Sequence, residues 1–192
     1  MDVTPETIIS ILIGIGLAAS VGFRIFVPLF ALSLASFYNI IPLNESWQWV
    51  GSSTAIIILG IATLVEILAY FIPWLDNLLD TIAIPLAAIA GTAVMVATVS
   101  DLDPTITWAL AIIAGGGTAT AIKGSTSSAR LASTATTAGI ANPVISTVET
   151  GTSIVMSVLA IFIPILAIIL VVFIGWMLFK VFKLFKPSKS KK

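Results

Sequence analysis

The feature that most constrains this chain is a series of long apolar runs separated by short polar loops. Residues 50–72, 82–99 and 154–179 each approach or exceed the ~18–20 apolar residues that cross a bilayer as a helix. The runs are continuous and do not alternate with a period of two, which disfavours a transmembrane barrel. Only 9% of the residues are charged, against about a quarter in a soluble domain. We therefore expect an all-α, polytopic helical membrane bundle.

The first apolar segment, residues 7–38, is too long for one straight span. At 1.5 Å per residue it would measure about 48 Å, against a hydrocarbon core of about 30 Å. Gly22 offers a place to break it, with Arg24 just after the break. The sequence thus predicts either a long kinked helix or two half-helices in a re-entrant hairpin. A second break is predicted at residues 115–124, and five to six membrane segments are expected in all.

Charge is distributed unevenly along the chain. Six of the nine basic residues fall in the last thirteen positions, so the positive-inside rule predicts a cytoplasmic C-terminus. We expect one transmembrane domain over residues 1–186 and a basic cytoplasmic tail over residues 187–192. The first residues carry no basic region, so we expect no cleaved signal peptide. The chain has neither Cys nor His, which excludes disulfides, thiol chemistry and His-based catalysis.

A small, hydroxyl-rich segment, residues 115–153, stands out from these apolar runs. It is either the tightly packed centre of the bundle or a polar path through it. Helical spacing places seven of its polar side chains on one face: Lys123, Thr126, Ser127, Arg130, Ser133, Thr134 and Thr137. The helix expected after Asn142-Pro143 carries a second polar face, made of Ser146, Glu149, Ser153 and Ser157.

Two halves of the chain, residues 6–100 and 105–179, share short sequence matches. Each half has a Gly followed eight residues later by a cation, and each has an acid within an apolar segment: Gly16, Arg24 and Glu66 in the first half, Gly115, Lys123 and Glu149 in the second. An inverted repeat would place a midplane site between the halves, as in repeat-built transporters. Such matches also arise by chance in apolar sequence, so both interpretations stay open.

Two segments resemble the signatures of a bacterial membrane family catalogued as domain of unknown function 4126. They are Gly-Leu-Ala-Ala-Ser-Val-Gly-Phe23-Arg24-Ile-Phe-Val-Pro28 and the run from Ile122 through Arg130 and Asn142 to Glu149. The segment around Glu66, Pro73, Asp76 and Asp80 is also similar. The resemblance implies a multi-pass protein of the bacterial cytoplasmic membrane, and it implies no activity. The family often has an acid at the position of Thr150 and can have a His at that of Ile122, and this chain has neither.

Five charged residues fall within expected membrane segments, where each costs roughly 2.5 kcal/mol or more unless paired or functional. They are Arg24, Glu66, Lys123, Arg130 and Glu149. One hypothesis is internal pairing, for instance Arg24 with Glu66 and Arg130 with Glu149. The other is an anion site, in which one cation stays unpaired and broken-helix N-termini donate backbone N–H groups. Snorkelling to an interface is a third alternative.

Asp76 and Asp80 lie four residues apart, on one face of an expected short amphipathic turn over residues 73–80. Two carboxylates are a weak candidate for a divalent-cation site at the interface, and a solvated face is the favoured interpretation. We expect no bound metal and no cofactor.

The leading functional hypothesis is a small transporter or channel for a small solute, with an anion favoured and proton coupling as one version. Its proposed solute-binding residues are Arg24, Lys123, Ser127, Arg130, Thr134, Asn142 and Ser146, and its proton or counter-charge sites are Glu66 and Glu149. The alternatives are a protein that binds or flips an anionic lipid headgroup and a structural subunit without flux. An enzyme is least favoured, because Lys123 with Ser127 one turn on is a thin basis for catalysis. Expected partners are membrane lipids, the solute and further copies in a homo-oligomer, with no nucleic acid.

Overall fold

The computed structural model describes residues 4–100 and 102–185, apart from the side chains of residues 73, 77 and 181–185. Within these residues nearly everything is helical and no strand occurs. A 3-10 helix, Glu45–Gly51, precedes α3, and a π-helical segment, Ala111–Gly116, joins α5 to α6. The α-helices are α1 (Pro5–Phe23), α2 (Phe26–Phe37), α3 (Ser53–Ala69), α4 (Pro73–Thr98), α5 (Pro104–Leu110), α6 (Gly117–Thr137), α7 (Asn142–Phe162) and α8 (Pro164–Phe185).

The expected all-α membrane bundle is confirmed. By length and composition, four helical segments of the described chain can cross a membrane: Pro5–Phe23, Trp74–Thr98, Pro104–Thr137 and Asn142–Phe162. The pair Glu45–Gly51 and Ser53–Ala69, bent by 66°, makes a fifth if it forms one span. The chain is thus a multi-pass membrane protein with four or five candidate spans, where five to six segments were expected.

The predicted break after Gly22 is present, and it produces a hairpin. α1 ends at Phe23, Arg24 is extended (φ −137°), and α2 starts at Phe26. The backbone N–H of Ser100 donates to Ser10 Oγ near the start of α1 (3.5 Å), and that of Asn44, just after α2, donates to Ala97 O (2.9 Å). Both ends of the α1–α2 pair therefore lie beside the end of α4. Of the two predicted alternatives, the kinked helix is wrong: the two helices form a hairpin, in which α1 is long enough to cross a membrane by itself and the 12-residue α2 is not.

The second predicted break, at residues 115–124, is wrong. The chain passes from α5 through the π-helical segment into α6 without interruption. The glycines there serve close packing against α4: a Cβ on Gly115 would lie 2.6 Å from the carbonyl oxygen of Gly91, and one on Gly91 would lie 2.7 Å from that of Gly115. Backbone meets backbone at this contact, so neither position has room for a side chain.

Replacing Gly115 by Ala should therefore destabilise the bundle, by about 1–3 kcal/mol, because the obstructing atoms are backbone and cannot rotate away. Gly117→Ala is the matched control, since nothing lies within 4 Å of a Cβ at that position. The control should be neutral or stabilising by up to about 1 kcal/mol, because Ala favours helix over Gly. Thermal unfolding of the purified variants in detergent measures both. Equal melting temperatures for the two variants would refute the packing argument.

Two smaller expectations also change. Residues 73–80 are not a separate amphipathic turn but the first two turns of α4, which continues through Pro85. Pro164 was expected to kink a continuous apolar helix, but it begins a separate helix, α8. The chain reverses at Ile163, so that Ala160 and Ala167 both pack against Gly16. α8 therefore runs back alongside α7.

These connections give the bundle two ends. The near end carries the α3–α4 turn (residues 70–72) and the α6–α7 turn (residues 138–141), which line one cavity. The far end carries the start of α1 and the end of α4. Because α8 runs antiparallel to α7, it heads toward the near end. The predicted basic tail, residues 187–192, lies outside the described residues.

Candidate functional site: a buried charge cluster

Six charged side chains and one tyrosine meet at the tip of the α1–α2 hairpin. None is more than 6% exposed. They come from the hairpin tip and from α3, α4, α6 and α7, so the fold assembles them from five parts of the chain. We call this set the buried charge cluster: Arg24, Glu66, Tyr70, Asp76, Lys123, Arg130 and Glu149.

Arg130 binds two carboxylates. Its Nε donates to Glu149 Oε1 (3.2 Å), its Nη2 to Glu149 Oε2, and its Nη1 to Asp76 Oδ1 (2.6 Å). The Arg130–Glu149 pairing is the one the sequence predicted. The predicted solvation of Asp76 is wrong, because α4 begins at Pro73 and carries Asp76 inward onto α6, leaving it 2% exposed.

Arg24 pairs differently from the prediction. Its Nη2 lies 3.7 Å from Glu149 Oε2 and donates to Ser146 O (3.0 Å) and to Ser146 Oγ, while its Nε donates to Thr150 Oγ1 (3.0 Å). Its Nη1 is buried with no hydrogen-bond partner among the described residues. The predicted partner, Glu66, is bonded elsewhere. Glu149 is thus shared by the two guanidinium groups of Arg24 and Arg130.

Glu66 caps the start of α2. Its Oε1 accepts the backbone N–H of Ile25 (2.8 Å) and its Oε2 that of Phe26 (2.9 Å). The first N–H groups of a helix have no partner within the helix, and the helix dipole favours negative charge there. Glu66 therefore satisfies two donors that would otherwise be orphaned inside the bundle.

Lys123 caps the end of α1 in the complementary way. Its Nζ donates to Phe23 O (2.9 Å), one of the last carbonyl groups of that helix. The hairpin tip is therefore held from both sides, by a cation at the end of α1 and by an acid at the start of α2. The sequence placed Lys123 at a predicted helix break and Glu66 within an apolar span, and it did not indicate that the two residues cap the hairpin tip.

Tyr70 lies at the centre of the cluster and was not among the predicted site residues. The guanidinium carbons of Arg24 and Arg130 lie 3.9 Å and 4.5 Å from its ring centroid, and Lys123 Nζ lies 5.9 Å away. The negative face of an aromatic ring attracts cations, most strongly where water is excluded. Its position, four residues after Glu66 in an otherwise apolar segment, was the available sequence signal.

A buried polar stripe runs along α7 through the cluster. Its members recur every three or four residues: Asn142, Ser146, Glu149, Ser153 and Ser157. Ser20 of α1 continues the stripe, since its Oγ donates to Ser153 O (2.7 Å) and lies 2.7 Å from Ser157 Oγ. From residue 142 to residue 157 the stripe covers about 22 Å of helix. It ends at a tight apolar contact, where a Cβ on Gly16 would come within 2.8 Å of Ala160.

A cavity of about 290 Å³ opens beside the cluster at the near end, lined in part by Tyr70, Asp76, Thr134, Gly139 and Asn142. Asn142 Nδ2 donates to Asp76 Oδ2 and to Thr134 Oγ1, both at 3.1 Å. Its Oδ1 is buried without a hydrogen-bond partner in the described part of the chain. The predicted site residues Thr134 and Asn142 thus meet at this cavity.

Ser127 and Asp80 lie at the margin of the cluster. Helical spacing puts Ser127 between Lys123 and Arg130 on α6, and its buried Oγ has no partner among the described residues. Asp80 is half-buried and interacts electrostatically with Arg130 and Lys123. No group of three or more potential metal ligands occurs in the described residues, and the carboxylate of Asp76 is engaged by Arg130 and Asn142.

A family model described as a domain of unknown function, DUF4126, matches residues 11–183. No curated protein and no solved structure is significantly similar to the chain. The matched range includes every residue of the buried charge cluster.

Proposed function

We propose a function from the site itself, because the chain belongs to DUF4126, a family whose description carries no activity. The proposal is a small membrane transporter that moves a small anionic solute together with a proton. The buried charge cluster is its solute site, and Glu149 is its proton carrier. No catalytic chemistry is part of the proposal.

The observation that carries this proposal is the placement of the Glu149 carboxylate. It lies between two guanidinium groups, hydrogen-bonded to Arg130 and 3.7 Å from Arg24. A carboxylate in that position occupies the place a small anionic solute would take. Arg24 also keeps an unpartnered Nη1, which supplies a free donor for an incoming anion. Exchange of Glu149 for the solute would keep both cations bonded.

The balance of charges in the cluster supports the coupling of proton transport to solute transport. The cluster holds three cations, Arg24, Lys123 and Arg130, and three acids, Glu66, Asp76 and Glu149, and Asp80 adds a fourth acid at its margin. An added anion would leave a net negative charge in a buried site, where uncompensated charge costs several kcal/mol. Protonation of Glu149 removes that charge and weakens the interactions of the Glu149 side chain with Arg24 and Arg130. The expected stoichiometry is one proton for each monovalent anion.

The polar side chains of the bundle define the proposed path of the solute. The solute would enter through the near-end cavity and reach the cluster, and the stripe of Ser153, Ser157 and Ser20 would carry it onward. The close contact of Gly16 with Ala160 blocks that route toward the far end in this conformation. A cytoplasmic near end, a bacterial inner-membrane location and a homo-oligomer remain predictions.

Uptake into proteoliposomes tests the proposal. The wild-type protein should take up at least one anion from a panel of chloride, nitrate, formate, acetate and phosphate. Glu149→Gln should reduce that uptake at least tenfold, because a neutral amide cannot exchange a proton. Ser128→Ala, on the exposed face of α6, is the control and should transport normally. Absence of uptake of every anion by folded wild-type protein would refute the proposal.

A second candidate, recognition of an anionic lipid headgroup, is favoured by one observation. An apolar groove of about 360 Å³ lies among α2, α3 and α4, and its lining includes both Glu66 and Tyr70. Tyr70 therefore separates this groove from the polar cavity at the near end. Phospholipid retained stoichiometrically by wild-type protein and lost from Arg24→Gln would favour this candidate over a soluble solute.

A further inference from the structure

Tyr70 lies between the near-end cavity and the arginines of the buried charge cluster. Its side chain lines the cavity, and the guanidinium carbons of Arg24 and Arg130 lie 3.9 Å and 4.5 Å from its ring centroid. Neither arginine lines the cavity, and the two are 0% and 2% exposed. A solute in the cavity therefore meets the ring of Tyr70 before it can reach the guanidinium groups.

Asp76 is the other member of the cluster that lines the cavity, and two hydrogen bonds hold it in place. Its carboxylate oxygens accept from Arg130 Nη1 (2.6 Å) and from Asn142 Nδ2 (3.1 Å). Moving Asp76 aside would separate a buried ion pair, which is costly. The ring of Tyr70 contacts the cluster through cation–π interactions, which are weaker. Of these two side chains, Tyr70 is the one that can leave the cluster at the lower cost.

The apolar groove provides space for the ring. Tyr70 also lines this groove of about 360 Å³ among α2, α3 and α4. Tyr70 directly follows the last residue of α3, and α3 is peripheral, because it packs mainly against α2 and the 3-10 helix. A change of rotamer at Tyr70, with a small shift of the end of α3, would carry the ring from the cluster into the groove.

We propose that Tyr70 is the near-end gate of the solute path. Its ring closes the path at the near end, and the contact of Gly16 with Ala160 closes it toward the far end, so the structure is an occluded conformation. This inference rests on the proposed transport function and names the residue that controls entry to its site. An arriving anion would replace the ring as the partner of the guanidinium groups, so the solute itself favours the open state.

Labelling of an introduced thiol tests the gate independently of transport. The chain has no Cys, so Ser146→Cys supplies a unique thiol at a position that is 0% exposed. The side chain of Ser146 accepts a hydrogen bond from Arg24, so a thiol there lies beside the guanidinium that the Tyr70 ring covers. A neighbouring cation also favours the reactive thiolate. The probe is the anionic reagent 2-sulfonatoethyl methanethiosulfonate, applied to purified protein in detergent.

Adding Tyr70→Ala to Ser146→Cys should raise the labelling rate about tenfold or more, because the ring no longer covers the arginines. Tyr70→Phe keeps the ring and should leave the rate within about twofold of the parent. Phe71→Ala is the matched control, since Phe71 lines the same cavity, and it should also leave the rate unchanged. Unchanged labelling in folded Tyr70→Ala protein would overturn the gate.

A second variant acts on the groove and leaves Tyr70 in place. Ala62→Phe should fold, because it adds an apolar ring to the empty groove, and it would occupy the space into which Tyr70 moves. It should lower both the labelling of Ser146→Cys and the solute uptake of the otherwise wild-type protein about tenfold, by disfavouring the open state. Ile57→Phe, on an exposed part of α3 outside the groove, is the control and should change neither rate.

The two readouts separate the gate from the transport function. Unchanged labelling and uptake in Ala62→Phe would overturn the gate and leave anion transport standing. If the wild-type protein takes up no anion, transport is refuted. The labelling rates then still decide whether Tyr70 closes the near end, because they require no solute.

Discussion

Arg130→Met is expected to lose about 3–5 kcal/mol of stability, the range for removing one partner of a buried ion pair. Met fills much of the volume but leaves Asp76 and Glu149 facing each other as buried acids without their shared cation. Equilibrium unfolding of the purified protein in mixed detergent micelles measures the loss. The exposed cation Lys180 on α8 is the control, and Lys180→Met should change stability by less than about 0.5 kcal/mol.

The origin of that loss is tested by neutralising the acids. Arg130→Met combined with Asp76→Asn and Glu149→Gln removes the stranded charges, so this triple variant should recover most of the stability. A triple variant as unstable as the single one would show that packing, and not charge, dominates at Arg130. A single variant as stable as wild type would show that Asp76 and Glu149 do not depend on Arg130 for their stabilisation.

Glu66→Ala should open the hairpin tip and cost about 2–6 kcal/mol, because two buried backbone donors lose their acceptors at about 1–3 kcal/mol each. The donors are the N–H groups of Ile25 and Phe26. Glu66→Gln keeps one acceptor oxygen and should lose less. Hydrogen exchange of the peptide covering these two residues, together with thermal unfolding, reads out both the local and the global effect.

Glu6→Ala is the matched control for this prediction. Glu6 is also an acid near a helix N-terminus, but it is exposed in the first turn of α1. Its removal should cost no more than about 1 kcal/mol, since exposed charge–dipole interactions are weak. Unchanged exchange at Ile25 and Phe26 in Glu66→Ala would contradict the capping role.

Local sequence signals predicted the helices and the polarity of the site well. Thr4 and Asp103 each precede a proline, and both act as N-caps as that pattern implies. Spacing along α6 placed Lys123 and Arg130 on one inward face, because helical periodicity decides which side chains share a side. The Arg130–Glu149 pair followed from the rule that intramembrane charges seek partners.

Long-range partners were harder to predict. The residues next to Glu66 in the sequence do not indicate whether it pairs with Arg24 or caps α2. The outcome depends on how α3 packs beside the hairpin, since both groups lie at the tip. Asp76 was misassigned for a similar reason: its helix was expected to end near residue 80, and a short turn would have kept it in water. The glycines at 91 and 115 gave no sign of whether they bend a helix or pack one.

Proton-coupled accumulation is the most direct test of the central claim, that a solute exchanges with Glu149 as this residue takes up a proton. Proteoliposomes with an imposed pH gradient, acidic outside, and no solute gradient would be given the solute that the uptake panel identifies. The account predicts accumulation above equilibrium, with about one proton entering per monovalent anion, and loss of accumulation in Glu149→Gln. Uptake in the wild-type protein that only equilibrates the solute and ignores the pH gradient would contradict it.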